Sequence, residues 1–239
     1  MTNQEFSEQF DTLLDSYKLK NDFGADENLL TLKLDEYEKS VFLTQAQNDL
    51  IIELYTGRNP FKASYEETEE LRRYLGGLNK VALITTFLST DLGISPTSVT
   101  CTIEDSKLLY IVQEQCKVTS TDPCINNTWM EVAPIKRDDY NRHKSNPFRN
   151  SKIWRLDLGN NVVELVTKHT IISYKVTYLA KPLPIILEDI DYVTIEGLSS
   201  ESPCKLPAIL HKYLLEKAVY AAYNYMATKA NNTNNNTNN

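Results

Sequence analysis

The alternation from Ile172 to Tyr178 constrains this chain more than any other stretch. Ile172, Tyr174, Val176 and Tyr178 fall on one side of an extended segment, with Ser173, Lys175 and Thr177 on the other. That is the period of a strand with one covered face. Two more strands precede it. Trp154, Leu156 and Leu158 alternate with Arg155 and Asp157, Gly159-Asn160-Asn161 tolerates the positive φ of a reversal, and Val162 to Thr167 runs back. The spacing predicts a consecutive antiparallel meander over residues 154–178. It stops at Pro182-Leu183-Pro184, where missing N–H donors force the chain to leave the sheet or skirt its edge.

Helices frame this β-rich part. Phe6, Phe10, Leu13, Leu14 and Tyr17 recur at helical spacing and predict a helix over 3–20. Asp35 followed by Glu38 predicts a capped helix over 35–56 that ends at Thr56-Gly57. Across the loop from Asn21 to Leu32 these two are expected to pair as a hairpin. Ser64 with Glu67 predicts a short charged helix over 64–75, stopped by Gly76-Gly77. The β-rich part spans 81–195, with strands at Val81–Thr90 and Val99–Ile103. Leu108 to Val118 fits a buried strand or a short helix by periodicity, and is read as strand. It is expected to form a protruding hairpin with a partner containing Trp129, Met130, Val132 and Ile135. A helical turn is expected at Asp139-Tyr140 and a short strand at Tyr192–Ile195. Pro207 opens a last helix over 207–228, where Leu210, Leu214, Ala218 and Ala222 make a ridge and Tyr213, Tyr220 and Tyr223 lie beside it. Asn231 to Asn239 is all Asn and Thr, cannot offset its ordering entropy, and is expected to be a disordered tail in isolation. The expected fold is α+β in a single domain over 1–230: a helical hairpin, an antiparallel sheet with a protruding hairpin, a long C-terminal helix and a polar tail over 231–239.

The chemistry-bearing residues do not converge on a catalytic motif. The three histidines, His143, His169 and His211, lack a second His or Cys at metal-ligand spacing, and Cys204 is seven residues from His211 across a proline. Glu66-Glu67, Glu69-Glu70, Asp138-Asp139 and Glu188-Asp189 read as solvated acids rather than acid/base pairs. Glycine-rich phosphate loops and a GxSxG elbow are missing, so no catalytic, cofactor or metal residue is expected. Cys101, Cys116, Cys124 and Cys204 form no CxxC pair and read as reduced structural thiols. With no leader or membrane-length apolar run in the sequence, the chain is expected to be soluble and intracellular when made. The net charge of −7 argues against gripping a phosphate backbone. One segment runs against that balance: Lys136, Arg137, Arg142, His143, Lys144, Arg149, Lys152 and Arg155. A nucleic-acid patch and a contact with an acidic neighbouring subunit are both open to it, and the acidity of the rest favours the neighbour. Fourteen tyrosines suit an interface-rich protein as well as a core. The candidate interface residues are Tyr213, Ala218, Tyr220 and Ala221 for helix contacts, and Arg137, Arg142 and Arg149 for the basic segment.

Several stretches resemble a structural protein family of crAss-like bacteriophages: Glu5-Phe6-Ser7, Phe10-Asp11, the run from Leu34 to Thr44, Trp154-Arg155-Leu156, Ile172 to Tyr178 with Lys181-Pro182, Pro184 to Leu187, and Leu210-His211. The likeness covers both ends and the meander, while 58–130 contributes little. It implies a virion protein similar to head-to-tail adaptor or neck ring proteins. Such a protein would form a homo-oligomeric ring of twelve copies between portal and adjacent neck or tail rings. Genome DNA would pass along its lumen without sequence-specific binding, and no membrane would be involved. It would reside in the virion neck, after assembly in the host cytoplasm. Alternatives of another kind are a tail or capsid component, or a phage-encoded enzyme or binding module without a recognisable motif.

Overall fold

Asp35 and Glu38 exchange the two bonds of a capping box: the Glu38 N–H donates to the Asp35 carboxylate at 2.7 Å, and the Asp35 N–H to the Glu38 carboxylate at 3.3 Å. The helix they open closes at Gly57, whose φ of 82° is left-handed. In the computed structural model, residues 1–21, 33–59, 61–89, 93–144 and 152–236 are described. Among these the elements run α1 (Asn3–Asn21), α2 (Glu36–Thr56), α3 (Glu69–Leu75), β1 (Asn79–Ile84), β2 (Leu88–Ser89), β3 (Ser98–Thr102), β4 (Leu108–Thr119) and β5 (Thr128–Pro134). Then come α4 (Tyr140–Lys144), β6 (Ile153–Gly159), β7 (Val162–Val166), β8 (Thr170–Ala180) and α5 (Ala208–Asn236). The chain divides into two compact units, one of Met1–Gly77 with Pro182–Asn239 and one of Leu78–Lys181.

In the first unit α1 and α2 both pack along α5 more than along each other, because Ala218 and Ala222, both fully buried, let the neighbouring backbones approach. Their direct link is polar. The buried Lys39 ammonium reaches Asp11 at 2.7 Å, Glu36 at 2.8 Å and the Ser7 hydroxyl at 3.1 Å. Burial works to lower the Lys39 pKa, but the hydrogen bonds to Asp11 and Glu36 outweigh it and hold the ammonium charged. The loop expected between Asn21 and Leu32 lies outside the described residues from position 22 on.

Three polar side chains at helical spacing on α2 explain how the Pro182–Leu187 segment is buried without stranding its backbone. Thr44 accepts from the Ile185 N–H at 3.0 Å and donates to the Ile185 carbonyl at 3.1 Å. Ser40 accepts from the Leu187 N–H at 3.0 Å, and Gln47 donates to the Leu183 carbonyl at 2.9 Å. The two prolines bring no N–H that would need a partner.

The eight strands among the described residues belong to the second unit, in the order β1-β8-β4-β5-β6-β7-β3-β2. The sheet is antiparallel apart from one pair, β5 and β6, which run parallel with Val132 opposite Ile153. The expected meander is therefore corrected. β6 and β7 pair across Gly159-Asn160-Asn161, with φ of 85°, 50° and 59°, but β8 lies between β1 and β4. Alternation dictates that a strand has a covered face without naming its partner. Length does more here: β8 spans 11 residues, β4 spans 12 and β7 only five. β4 and β5 form the expected hairpin, with Gln115 opposite Glu131, and each also has a second neighbour in the sheet. Tyr174, Val176, Cys116, Ile153 and Leu165 fill the core.

Other expectations shift locally. Strand 81–90 is broken into β1 and β2. The third helix starts after Thr68, whose hydroxyl accepts from the Leu71 N–H, while the Ser64 N–H donates to Glu67 within a turn ahead of it. Tyr192–Ile195 is not a strand; Ile195 bridges back to Leu198 in a tight loop. α5 does not end near Thr228 but continues to Asn236 through most of the Asn/Thr stretch. Extending an existing helix adds a hydrogen bond per residue without a new nucleation cost, which carries weak helix formers along.

Candidate assembly surface

Ile209, Tyr213, Glu216 and Tyr220 follow one another at three- and four-residue steps along α5, so they share one face, and Ile209, Tyr213 and Tyr220 are exposed there. Phe61, exposed from the loop after α2, meets Tyr213 edge-on at 6.1 Å between ring centroids. Beside these rings a groove of about 300 Å³ is lined by Leu50, Leu54, Leu210 and the aromatics Phe61, Tyr213 and Tyr220. Lys217 and Glu53 pair within it at 2.5 Å. An apolar trough rimmed by tyrosine hydroxyls and closed by an ion pair suits a protein side chain better than a reacting small molecule. Of the expected interface residues on this helix, Tyr213 and Tyr220 lie on the open face and Ala221 is half-buried. Ala218 is fully buried within its own chain.

In the second unit the basic segment is built on an aromatic anchor. Tyr140, the first residue of α4, is buried edge-on against Trp154 at 6.0 Å and 86°. With that ring fixed, Lys136, Arg137, Arg142 and Lys144 are exposed. Arg142 reaches Asp139 only at 3.9 Å, and the Lys144 ammonium sits 5.8 Å over the Tyr140 ring. Arg149 lies outside the described residues. Arg155 is not part of this surface. It turns into the sheet and pairs with the buried Glu114 at 3.0 Å, while the Tyr174 hydroxyl donates to the same carboxylate at 2.6 Å. Burial raises the Glu114 pKa despite the Tyr174 hydrogen bond and the Arg155 charge, both of which pull it down.

The two outer strands of the sheet, β1 and β2, each bond to one neighbour. Between them lies a cavity of about 560 Å³, reached by Ile84, Leu88, Cys101, Ile103, Asp105 and Tyr178. Its acid is already engaged: Asp105 takes the Tyr178 hydroxyl at 2.7 Å and the Lys80 ammonium at 3.1 Å, and the Tyr178 bond foremost lowers its pKa. Burial lifts the Cys101 thiol to about 12, far from a reactive thiolate. His211 is buried against Phe6 and bonds the Leu206 carbonyl at 2.9 Å. Among the described residues no group of three or more His, Cys, Asp or Glu is placed to hold a metal, and no helix is long and apolar enough to cross a membrane.

Sequence reasoning had no signal for the polar stitching of Ser40, Thr44 and Gln47, because such residues on a helix ordinarily read as solvated. It found the aromatic face of α5 through its spacing. Comparison with known proteins adds the following. A family model described as phage tail ring protein 3/4 matches residues 1–236. "Ring protein 3" of Bacteroides phage crAss001 is 40% identical over 227 residues, covering 93% of this chain and 95% of that protein. "Ring protein 4/5" of the same phage is 29% identical over 237 residues, covering 93% and 92%.

Proposed function

The chain belongs to the phage tail ring protein 3/4 family, and from that premise we propose that it is a ring-forming head-to-tail connector subunit joining portal to tail around the DNA channel. As a phage ring protein it is a structural component of the virion. The observation that supports the reading best is the match along 1–236, together with the aromatic face of α5, a surface suited to burial against another subunit. In this reading twelve copies close the ring through helix contacts at Tyr213, Tyr220 and Ala221, with Ala218 holding the helix that presents them. The basic turn bearing Arg137 and Arg142 meets an acidic neighbour, and the end of α5 reaches toward the portal or an adjacent ring. The net charge of −7 repels the genome, which suits passage rather than grip. The chain performs no catalysis in this role.

The test is the position and copy number of the chain in intact particles, by electron cryomicroscopy of the neck. A twelve-fold ring between portal and tail is expected. A ring placed elsewhere in the tail, or a chain missing from mature particles, overturns the connector role.

A further inference from the structure

The two compact units carry opposite charge. Residues 1–77 with 182–239 hold 12 Lys and Arg against 22 Asp and Glu, a net −10; residues 78–181 hold 13 against 10, a net +3; together they make the −7 of the chain. A subunit with an acidic unit and a basic unit favours head-to-tail contact, acidic against basic, which repeats from copy to copy and makes a ring where the rotation between copies closes.

One loop of the acidic unit stands out. Tyr192 is wholly exposed and has a φ of 69°. A bulky residue in the left-handed region is strained, and such strain persists only where the surroundings enforce it. Here the enforcement is visible: the Ile190 N–H donates to the Ser199 carbonyl at 2.7 Å, and Ile195 and Leu198 exchange two bonds at 2.8 and 3.0 Å. The loop is thus held closed while Tyr192 and Val193 project from it, with Glu188, Asp189 and Asp191 exposed alongside. With the backbone beneath it already ordered, an exposed aromatic side chain has less entropy to lose on binding, and this is the character of an interface anchor.

We propose that the Ile190–Ser199 loop is the docking knob of the acidic unit and that it seats on the basic Lys136–Lys144 turn of the next copy. Tyr192 stacks against the Arg137 and Arg142 guanidinium groups, and Glu188 and Asp191 supply the countercharge. This rests on the ring reading above and names the two surfaces that meet between copies.

The test places the photoreactive residue benzoylphenylalanine at Tyr192 in the full chain and irradiates assembled particles. A covalent dimer is expected, with the cross-link mapped by mass spectrometry to residues 136–144. A dimer joined elsewhere, a cross-link to a different virion protein, or no cross-link overturns the inference while the ring stands. Absence of the chain from particles removes the ring reading, and this inference with it. Arg137→Glu with Arg142→Glu is expected to lower dimer yield about tenfold, and adding Glu188→Lys with Asp191→Lys to restore it. Loss without restoration counts against the pairing.

Discussion

Arg155 lies 3.0 Å from Glu114 inside the sheet, an ion pair with both partners nearly out of reach of water. Arg155→Met leaves that carboxylate buried without its cation and is expected to cost about 3–5 kcal/mol, read by urea unfolding at neutral pH. The pH dependence has a definite sign. The folded pKa of Glu114 is raised, so the fold holds this proton more tightly than the unfolded chain does. Stability from this group is therefore full below the ordinary Glu pKa and is lost as pH rises through the raised value. Glu114→Gln should flatten that slope.

Thr44→Val keeps the shape of the side chain and removes both bonds to Ile185. The expected loss is about 1–3 kcal/mol in chemical denaturation, since a buried N–H and a buried carbonyl lose their partner. Thr44→Ser, which retains the hydroxyl, should cost less. No loss in Thr44→Val would mean the two hydrogen bonds contribute nothing to stability, and a loss in Thr44→Ser as large as in Thr44→Val would mean the methyl group contributes as much as they do.

Burial lowers the His211 pKa below its ordinary 6.5. Its contribution to stability is full above 6.5 and is lost as pH falls through the depressed folded value, because the unfolded chain takes up the proton first. The thermal midpoint should drop across that acid window, and the drop should shrink in His211→Asn.

Ala218 and Tyr220 are two residues apart on α5 but should answer to different measurements. Ala218→Leu overfills a closed helix contact and is expected to cost about 1–3 kcal/mol in stability. Tyr220→Ala removes an exposed ring and should change stability by no more than about 0.5 kcal/mol, while reducing the fraction of rings counted by electron microscopy. Unchanged ring formation in Tyr220→Ala would exclude this face of α5 from the contact.

What could be read without the fold was what is encoded locally. The Asp35–Glu38 box, the stop at Gly57 and the reversal at Gly159-Asn160-Asn161 each follow from a few neighbouring residues, whereas Leu108–Val118 fits strand or helix locally and is settled as strand by its pairing with β8. Pairing is not local. Nothing within Ile172–Tyr178 says that its partners are β1 and β4 rather than β7, and nothing near Val132 announces a parallel neighbour. The aromatic and alanine spacing of the last helix revealed the surface on α5. The inward turn of Arg155 was hidden, because its partner Glu114 is 41 positions away in the chain and a basic run ordinarily reads as solvated. At Tyr192 the residue's β propensity points to strand, while the left-handed backbone it adopts, φ 69°, leaves no local signal.

The parallel pairing of β5 and β6 obliges the chain to travel back the length of a strand between Pro134 and Ile153 before it can rejoin the sheet. Among its described residues that return forms no strand, only helical turns seated on Trp154 through Tyr140. Where the basic side chains of those turns stand is therefore set by one aromatic contact and not by the ladders on either side.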